Sequence, residues 1–357
     1  MERVAKLREI LLRKKLDALL VTNPVNRNYL SGFTGSTAFL VITQRSAIFV
    51  TDSRYTEQAK KEIGAEYKII VIESTKEYYR SIADLAKKDR VKSLAIESRH
   101  LVLSQYETLK KYLPGREILG QAGLVEELRE IKTAGELENI KKAVDIAETA
   151  FQKTLKRIKP GVSEVEVAAE LEHNMRLLGS EGPSFSTIVA SGERGAMPHG
   201  VATEKKLNKG ELIVIDFGAI YKGYCSDLTR TIGLGIIGRL IRNRYKVVYE
   251  AQQKAISSIG SGVILSVPDK KARNILKKHG IEKYFTHGLG HGLGMEVHET
   301  PSISSKTKGF FKAGMVVTIE PGVYFNGETG IRIENDIIVN NKGYDVLGKD
   351  QQKLLVL

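Results

Sequence analysis

KGELIVIDFGAIYKGYCSDLTRTI, Lys209–Ile232, sets one carboxylate, Asp216, inside an apolar strand and a second, Asp227, at the head of the next apolar run. A charge stranded among Ile, Val and Phe is costly unless a cation or hydrogen bonds compensate it. AGMVVTIEPGVYF, Ala313–Phe325, repeats the arrangement: Gly314, Glu320 and Gly322 stand in the spacing of Gly210, Asp216 and Gly218. GIRIENDII, Gly330–Ile338, then supplies Glu334 as CSDLTRTI supplies Asp227. Two homologous halves related by a pseudo-two-fold axis would bring these segments face to face, so that four acids converge. An Arg partner explains any one such acid equally well; four in repeated contexts favour a metal site.

HGLGHGLGMEVHE, His287–Glu299, offers the fifth ligand, with His287, His291 and His298 in a chain that has only 7 His. Its glycines let the backbone approach a small site closely. Four carboxylates and one imidazole form a hard, oxygen-rich set, unlike the sulfur ligands of structural zinc. Four negative charges balance two divalent ions and leave room for a bridging hydroxide. Two ions about 3.5 to 4 Å apart activate a shared water and polarise a carbonyl, so metal-assisted hydrolysis is the expected chemistry.

The 357 residues suffice for two domains. One Cys, Cys225, excludes an internal disulfide and a cysteine-rich zinc site. The charged start MERVAKLREI lacks the apolar core of a signal peptide, and no apolar run is long enough to span a bilayer. A cytoplasmic protein without a membrane partner is expected. The net charge of +13 is dispersed among acids and lacks interleaved aromatics, so nucleic acid is not an expected partner. The acid-free stretch GRLIRNRYK, Gly238–Lys246, reads as a solvated helix face.

The first third alternates helix and strand signals. Val4, Leu7 and Leu11 recur at helical spacing; DALLVTN is a strand; AFLVIT and SAIFVT flank Gln44 and Arg45 as a hairpin. YKIIVIES and SLAIES are strands around the helical TKEYYRSIADLAKK. This predicts an N-terminal α/β domain over 1–123, with the chemistry in a C-terminal domain over 124–357. A long helix bridging the halves should start at Thr133, whose capping box uses Glu136, and end before Pro160-Gly161; Ser163 and Glu166 cap the next.

As a set, VIDFGAIYKGYCSDLTRTI, HGLGHGLGMEVHE, TIEPGVY, GIRIEND and PHG (Pro198–Gly200) resemble the pita-bread metallopeptidases, which include aminopeptidase P, prolidase and methionine aminopeptidase. The resemblance implies a mixed α/β (α+β) fold: a creatinase-like N-terminal domain and a pita-bread catalytic domain with an internal pseudo-two-fold repeat. It implies that Asp216, Asp227, His291, Glu320 and Glu334 ligate two divalent ions, usually manganese or cobalt, with zinc an alternative. His199 would contact substrate, His298 would steady the tetrahedral intermediate, and Glu320 would also shuttle the proton to the leaving amine. Arg332 would act on the substrate side by holding a second carboxylate layer in place. His287, usual in the proline-selective members, places the chain in that branch, and Phe185 would help form an apolar wall for the proline ring.

YLSGFTGSTAFLVIT and TDSRYTEQA resemble aminopeptidase P more than prolidase. The expected activity is therefore that of an Xaa-Pro aminopeptidase, working as a homodimer on peptides with proline second. The alternatives are a prolidase restricted to Xaa-Pro dipeptides and a non-catalytic peptide-binding relative. Departures from the family pattern are Gly260-Ser261-Gly262 where Lys-Pro-Gly is usual, Asn335 where IED has Asp, and Ser53 where TDGRY has Gly.

Overall fold

The hairpin around Gln44 and Arg45 forms as expected, with Ala38–Thr43 antiparallel to Ala47–Asp52 and Ile42 opposite Ala47. The structure is a computed structural model that describes residues 2–357. The hairpin lies in a sheet of six strands among the described residues, ordered Lys68–Ile72, Ala47–Asp52, Ala38–Thr43, Ala18–Val21, Ser93–Glu97 and Glu117–Gln121. Neighbours run parallel except around Ala38–Thr43, which opposes both. Thr75–Lys88 buries Tyr79, Ile82, Leu85 and Ala86 against this sheet, the stripe its 3.6-residue spacing predicts.

Two segments are organised by local signals weaker than periodicity. The short helix Pro24–Ser31 is started by Asn23, whose Oδ1 accepts from the Val25 and Asn26 amides, with Pro24 in the first turn. The edge strand Glu117–Gln121 is half-exposed and shows no alternation. This unit runs on to Arg129, because the Tyr29 hydroxyl donates to the Leu128 carbonyl and Arg129 Nη1 donates to Asn26 Oδ1.

The second unit spans Glu130–Leu357. Its long helix, Ala134–Thr154, carries the capping box of Thr133 and Glu136. Expected as a bridge between halves, it belongs wholly to this unit. Val144, Ala147 and Phe151 pack with the helix Glu164–Leu177 onto the strands Ile188–Ser191, Leu212–Phe217 and Leu228–Gly233, and Phe151 stacks on Phe217 at 5.2 Å. The second half repeats the plan. Helices Arg239–Ile256 and Val267–Lys278 cover a sheet ordered Glu299–Ile303, Gly290–Gly292, Val316–Ile319, Asn335–Asn340 and Gly343–Val346.

In each half a small hairpin is inserted between two antiparallel strands. Ile220–Tyr221 with Tyr224–Cys225 sits between Leu212–Phe217 and Leu228–Gly233; Gly322–Phe325 with Thr329–Arg332 sits between Val316–Ile319 and Asn335–Asn340. The turns match too: Gly161 (φ +87°) donates to the Leu207 carbonyl, and Gly262 (φ +85°) to that of Phe311. Loss of the Lys-Pro pair before Gly262 therefore spares the residue whose left-handed backbone the turn requires. Asn335 is also explained: its Nδ2 donates to the Leu347 carbonyl at 2.7 Å, which a carboxylate could not do.

Candidate metal centre

The seam between the halves carries the acids. The Glu334 amide donates to the Thr229 carbonyl, and the Thr231 hydroxyl and Arg332 backbone bond each other. Arg230, fully buried, ties the seam from behind: Nη1 donates to the Glu334 carbonyl at 2.5 Å and Nη2 to Glu148 Oε2 at 2.7 Å. A buried ion pair of this kind adds little net stability, but losing one partner would leave an uncompensated buried charge.

Asp216 lies within its strand, while Asp227, Glu320 and Glu334 flank strand ends, so the pleat and the inserted hairpins aim all four inward. Asp227, His291 and Glu334 bring their ligand atoms within 4.8 Å of one another. His291 Nε2 is 3.6 Å from Asp227 Oδ2 and 3.5 Å from Glu320 Oε1. Its Nδ1 faces the Gly292 carbonyl at 3.1 Å and must donate there, which leaves the Nε2 lone pair for a cation. Asp216 is gripped by Arg332, whose Nη2 donates to Asp216 Oδ2 at 2.7 Å.

That contact corrects one expectation. The carboxylate Arg332 secures is Asp216, a candidate ligand itself, and not one in a layer behind it. The other Asp216 oxygen, Oδ1, is buried with no hydrogen-bond partner among the described residues. An orphaned carboxylate oxygen in one cavity with an imidazole lone pair and further carboxylates is a donor set that fits hard divalent ions.

The electrostatics agree. Burial, and then Glu334, Asp216, Asp336 and Glu320, push the Asp227 carboxyl well above its usual range. Burial and then Glu334 do the same to Glu320. Glu334 rises to about 7, through burial and then Asp216, against the relief offered by Arg332, the Thr229 hydroxyl and Arg230. His291 falls to about 4 because burial disfavours the imidazolium. Without a cation these groups resist ionising together, and a bound cation would relieve that repulsion.

The remaining expected residues, Phe185, His199, His287 and His298, line the same cavity of about 680 Å³. The His298 ring stands edge-to-face on His291 at 4.4 Å. Phe185, Ile188 and Val201 supply apolar wall. The PHG loop is braced from two sides: Arg332 Nη1 donates to the Pro198 carbonyl, and buried Glu164 accepts from Ser191, Arg194 and Thr203. His287 has both nitrogens engaged. Nδ1 donates to the Gly288 carbonyl at 2.7 Å, so Nε2 accepts from the Tyr324 hydroxyl at 2.9 Å, which in turn accepts from Arg332 Nη1. Burial keeps this ring neutral, its pKa lowered to about 4.

Sequence reasoning missed Tyr324 and Asp336. Asp336 is buried and accepts from the Asp227 amide at 3.1 Å, joining the two halves. It is as anomalous in its apolar run as Glu334, but its counterpart in the first half is Thr229, so the repeat did not single it out.

Gly290, beside His291, shows how closely the strands approach. A Cβ there would lie 2.0 Å from the Thr318 carbonyl oxygen. Gly290→Ala is expected to destabilise the protein by about 1–3 kcal/mol or more and to lower its bound metal, checked by thermal denaturation and metal analysis; an unchanged Tm would contradict the strand spacing.

Comparison with known proteins gives a consistent result. The pattern of Metallopeptidase family M24 matches residues 138–341, and that of the Creatinase/Prolidase N-terminal domain matches 3–131. An Xaa-Pro dipeptidase of Pyrococcus horikoshii is 38% identical over 99% of this chain and 99% of the relative. Among solved structures, an Xaa-Pro dipeptidase from Bacillus anthracis superposes with a TM-score of 0.97 at 40% identity, over 100% of this chain and 99% of that one. An X-Pro aminopeptidase from Thermotoga maritima gives 0.90 at 36%, over 96% and 98%.

Proposed function

Because the chain belongs to metallopeptidase family M24, in its proline-selective pita-bread branch, we propose that it hydrolyses the bond before proline in Xaa-Pro dipeptides, as a cytoplasmic homodimer. The observation that carries this reading is the set of Asp227, His291, Glu334 and Glu320 gathered in one cavity beside an apolar wall. The names of the P. horikoshii and B. anthracis relatives favour the dipeptide over longer peptides. The aminopeptidase reading keeps the support of YLSGFTGS and TDSRY, and of the T. maritima structure.

Asp216, Asp227, His291, Glu320 and Glu334 would hold two divalent ions, manganese or cobalt. Bound there, such ions supply Lewis acidity to the scissile carbonyl and lower the pKa of the attacking water. The rest falls to the chain. Glu320, its carboxyl raised by burial and Glu334, takes the water proton on a carboxylate oxygen and passes it to the proline nitrogen. His298 donates to the carbonyl oxygen as it gains charge. His199 contacts the substrate, and Arg332 keeps Asp216 and the PHG loop in register.

Proline lacks an amide N–H and fixes φ, so a site that grips an extended backbone handles it poorly. Phe185, Ile188 and Val201 offer the ring a surface instead. Offered an Xaa-Pro dipeptide and an Xaa-Pro-Yaa-Zaa peptide in parallel with manganese or cobalt, the protein is expected to cut the dipeptide at least tenfold faster. Comparable release of the first residue from the longer peptide would replace this reading by the aminopeptidase one. Failure on both, with the ions bound, would leave only a binding role.

A further inference from the structure

The stretch GIIGRLIRNRYK, Gly235–Lys246, takes no part in the catalytic cavity. It leads into the helix Arg239–Ile256, whose core side is satisfied by Tyr245, Val248, Ala251 and Ala255. Ahead of that helix, Ile237 is buried while Ile236 beside it is 91% exposed, and Leu240 in the first turn is 62% exposed. The loop is held at its base, where the Gly235 amide donates to the Leu357 carbonyl at 2.7 Å and Arg242 Nε donates to the Ile237 carbonyl at 3.0 Å. Two aliphatic side chains are thus presented on an anchored, convex knob.

Cations lie at its base and along the helix behind it. Lys209 packs against Gly235, and Arg239, Arg242 and Lys246 are exposed along the helix. None of the four forms an ion pair among the described residues, unlike Arg244, which is bonded to Glu328. No acid occurs between Glu211 and Glu250 except Asp216 and Asp227 in the metal centre. The helix has no acidic residue in its first turn, so its positive end is also uncompensated.

We propose that this knob docks the protein on an anionic lipid bilayer, with Ile236 and Leu240 entering the boundary between headgroups and acyl chains and Lys209, Arg239, Arg242 and Lys246 lying on lipid phosphates. The charge complementarity is direct, and the convex aliphatic tip selects the partner. A nucleic acid rewards aromatic platforms and would leave Ile236 in water. An extended peptide binds in a groove or along a sheet edge, and a loop tip with one helical turn offers neither. The contact is peripheral: no helix among the described residues is long and apolar enough to cross a membrane. It departs from two expectations read from the sequence, that Gly238–Lys246 is only a solvated face and that the protein has no membrane partner.

The test is sedimentation of the full chain with vesicles of phosphatidylglycerol and phosphatidylcholine, against phosphatidylcholine alone, with peptidase activity and Tm measured alongside. Binding to the anionic vesicles alone, weakening with salt, is the expected result. Arg239→Gln and Lys246→Gln should each lower the partition coefficient about fivefold, and Ile236→Ser with Leu240→Ser about tenfold or more, at unchanged activity and Tm. Equal partition of the double serine variant, equal binding to both vesicle types, or capture by RNA with no vesicle binding would each overturn the proposal.

Discussion

Glu320→Gln, prepared with manganese, is expected to lose about 10²- to 10⁴-fold in kcat, the range for removal of a general acid-base. The amide keeps the shape of the side chain and can still accept from the Thr318 hydroxyl, 3.4 Å away in the wild-type site. It cannot carry the proton from water to the proline nitrogen. It also removes one negative charge from the centre, so metal content will fall or its stoichiometry change, and turnover must be compared per metal-loaded protein. A replete variant with wild-type kcat would take the proton-transfer role away from Glu320.

The second large effect is an inversion of stability. In the metal-free protein, burial and then Asp216 hold the Glu334 carboxyl at about 7, against an ordinary 4.5. Between those values the folded chain retains a proton that the unfolded chain has released. Its contribution to stability is complete below 4.5 and is lost as pH rises through about 7. A Gln at 334 has no charge to bury. Metal-free Glu334→Gln should therefore match the wild type near pH 4 and exceed it at pH 8 by on the order of 3 kcal/mol, about 6–12 °C in Tm.

Adding manganese should reverse the order, because ion binding stabilises only the chain with its ligands intact. The neutral histidines at 287 and 291 act in the opposite sense, losing stability as pH falls from 6.5 towards 4. Both proteins carry them, so they cancel from the difference, which reports Glu334 together with its effect on the carboxyls it raises, Asp227, Glu320 and Asp336. A metal-free variant no more stable than the wild type at pH 8 would mean that Glu334 is not strained by its neighbours.

What could be read along the chain were features whose cause is local. An acid inside an apolar strand is anomalous wherever the strand goes, and the repeat of that anomaly marked Asp216, Asp227, Glu320 and Glu334 as a set. Capping boxes at Thr133 and Ser163 are likewise complete within four residues, and both helices start where those boxes place them. Substrate length lies beyond that reach: the N-terminal motifs resemble aminopeptidase P, while the relatives' names lean towards dipeptides.

The tertiary structure decided what depends on partners far apart in sequence. Tyr324 looks like any strand tyrosine until His287 and Arg332 close on its hydroxyl, and Arg230 finds Glu148 across the core. Arg332 meets Asp216 across 116 positions, which makes it the brace of a candidate ligand. The exposed Ile236 beside buried Ile237 is equally invisible to pattern, since adjacent isoleucines read alike until packing buries one and leaves the other in water. Composition and periodicity determined which side chains need compensation; only the fold chose which group, from which half, compensates each.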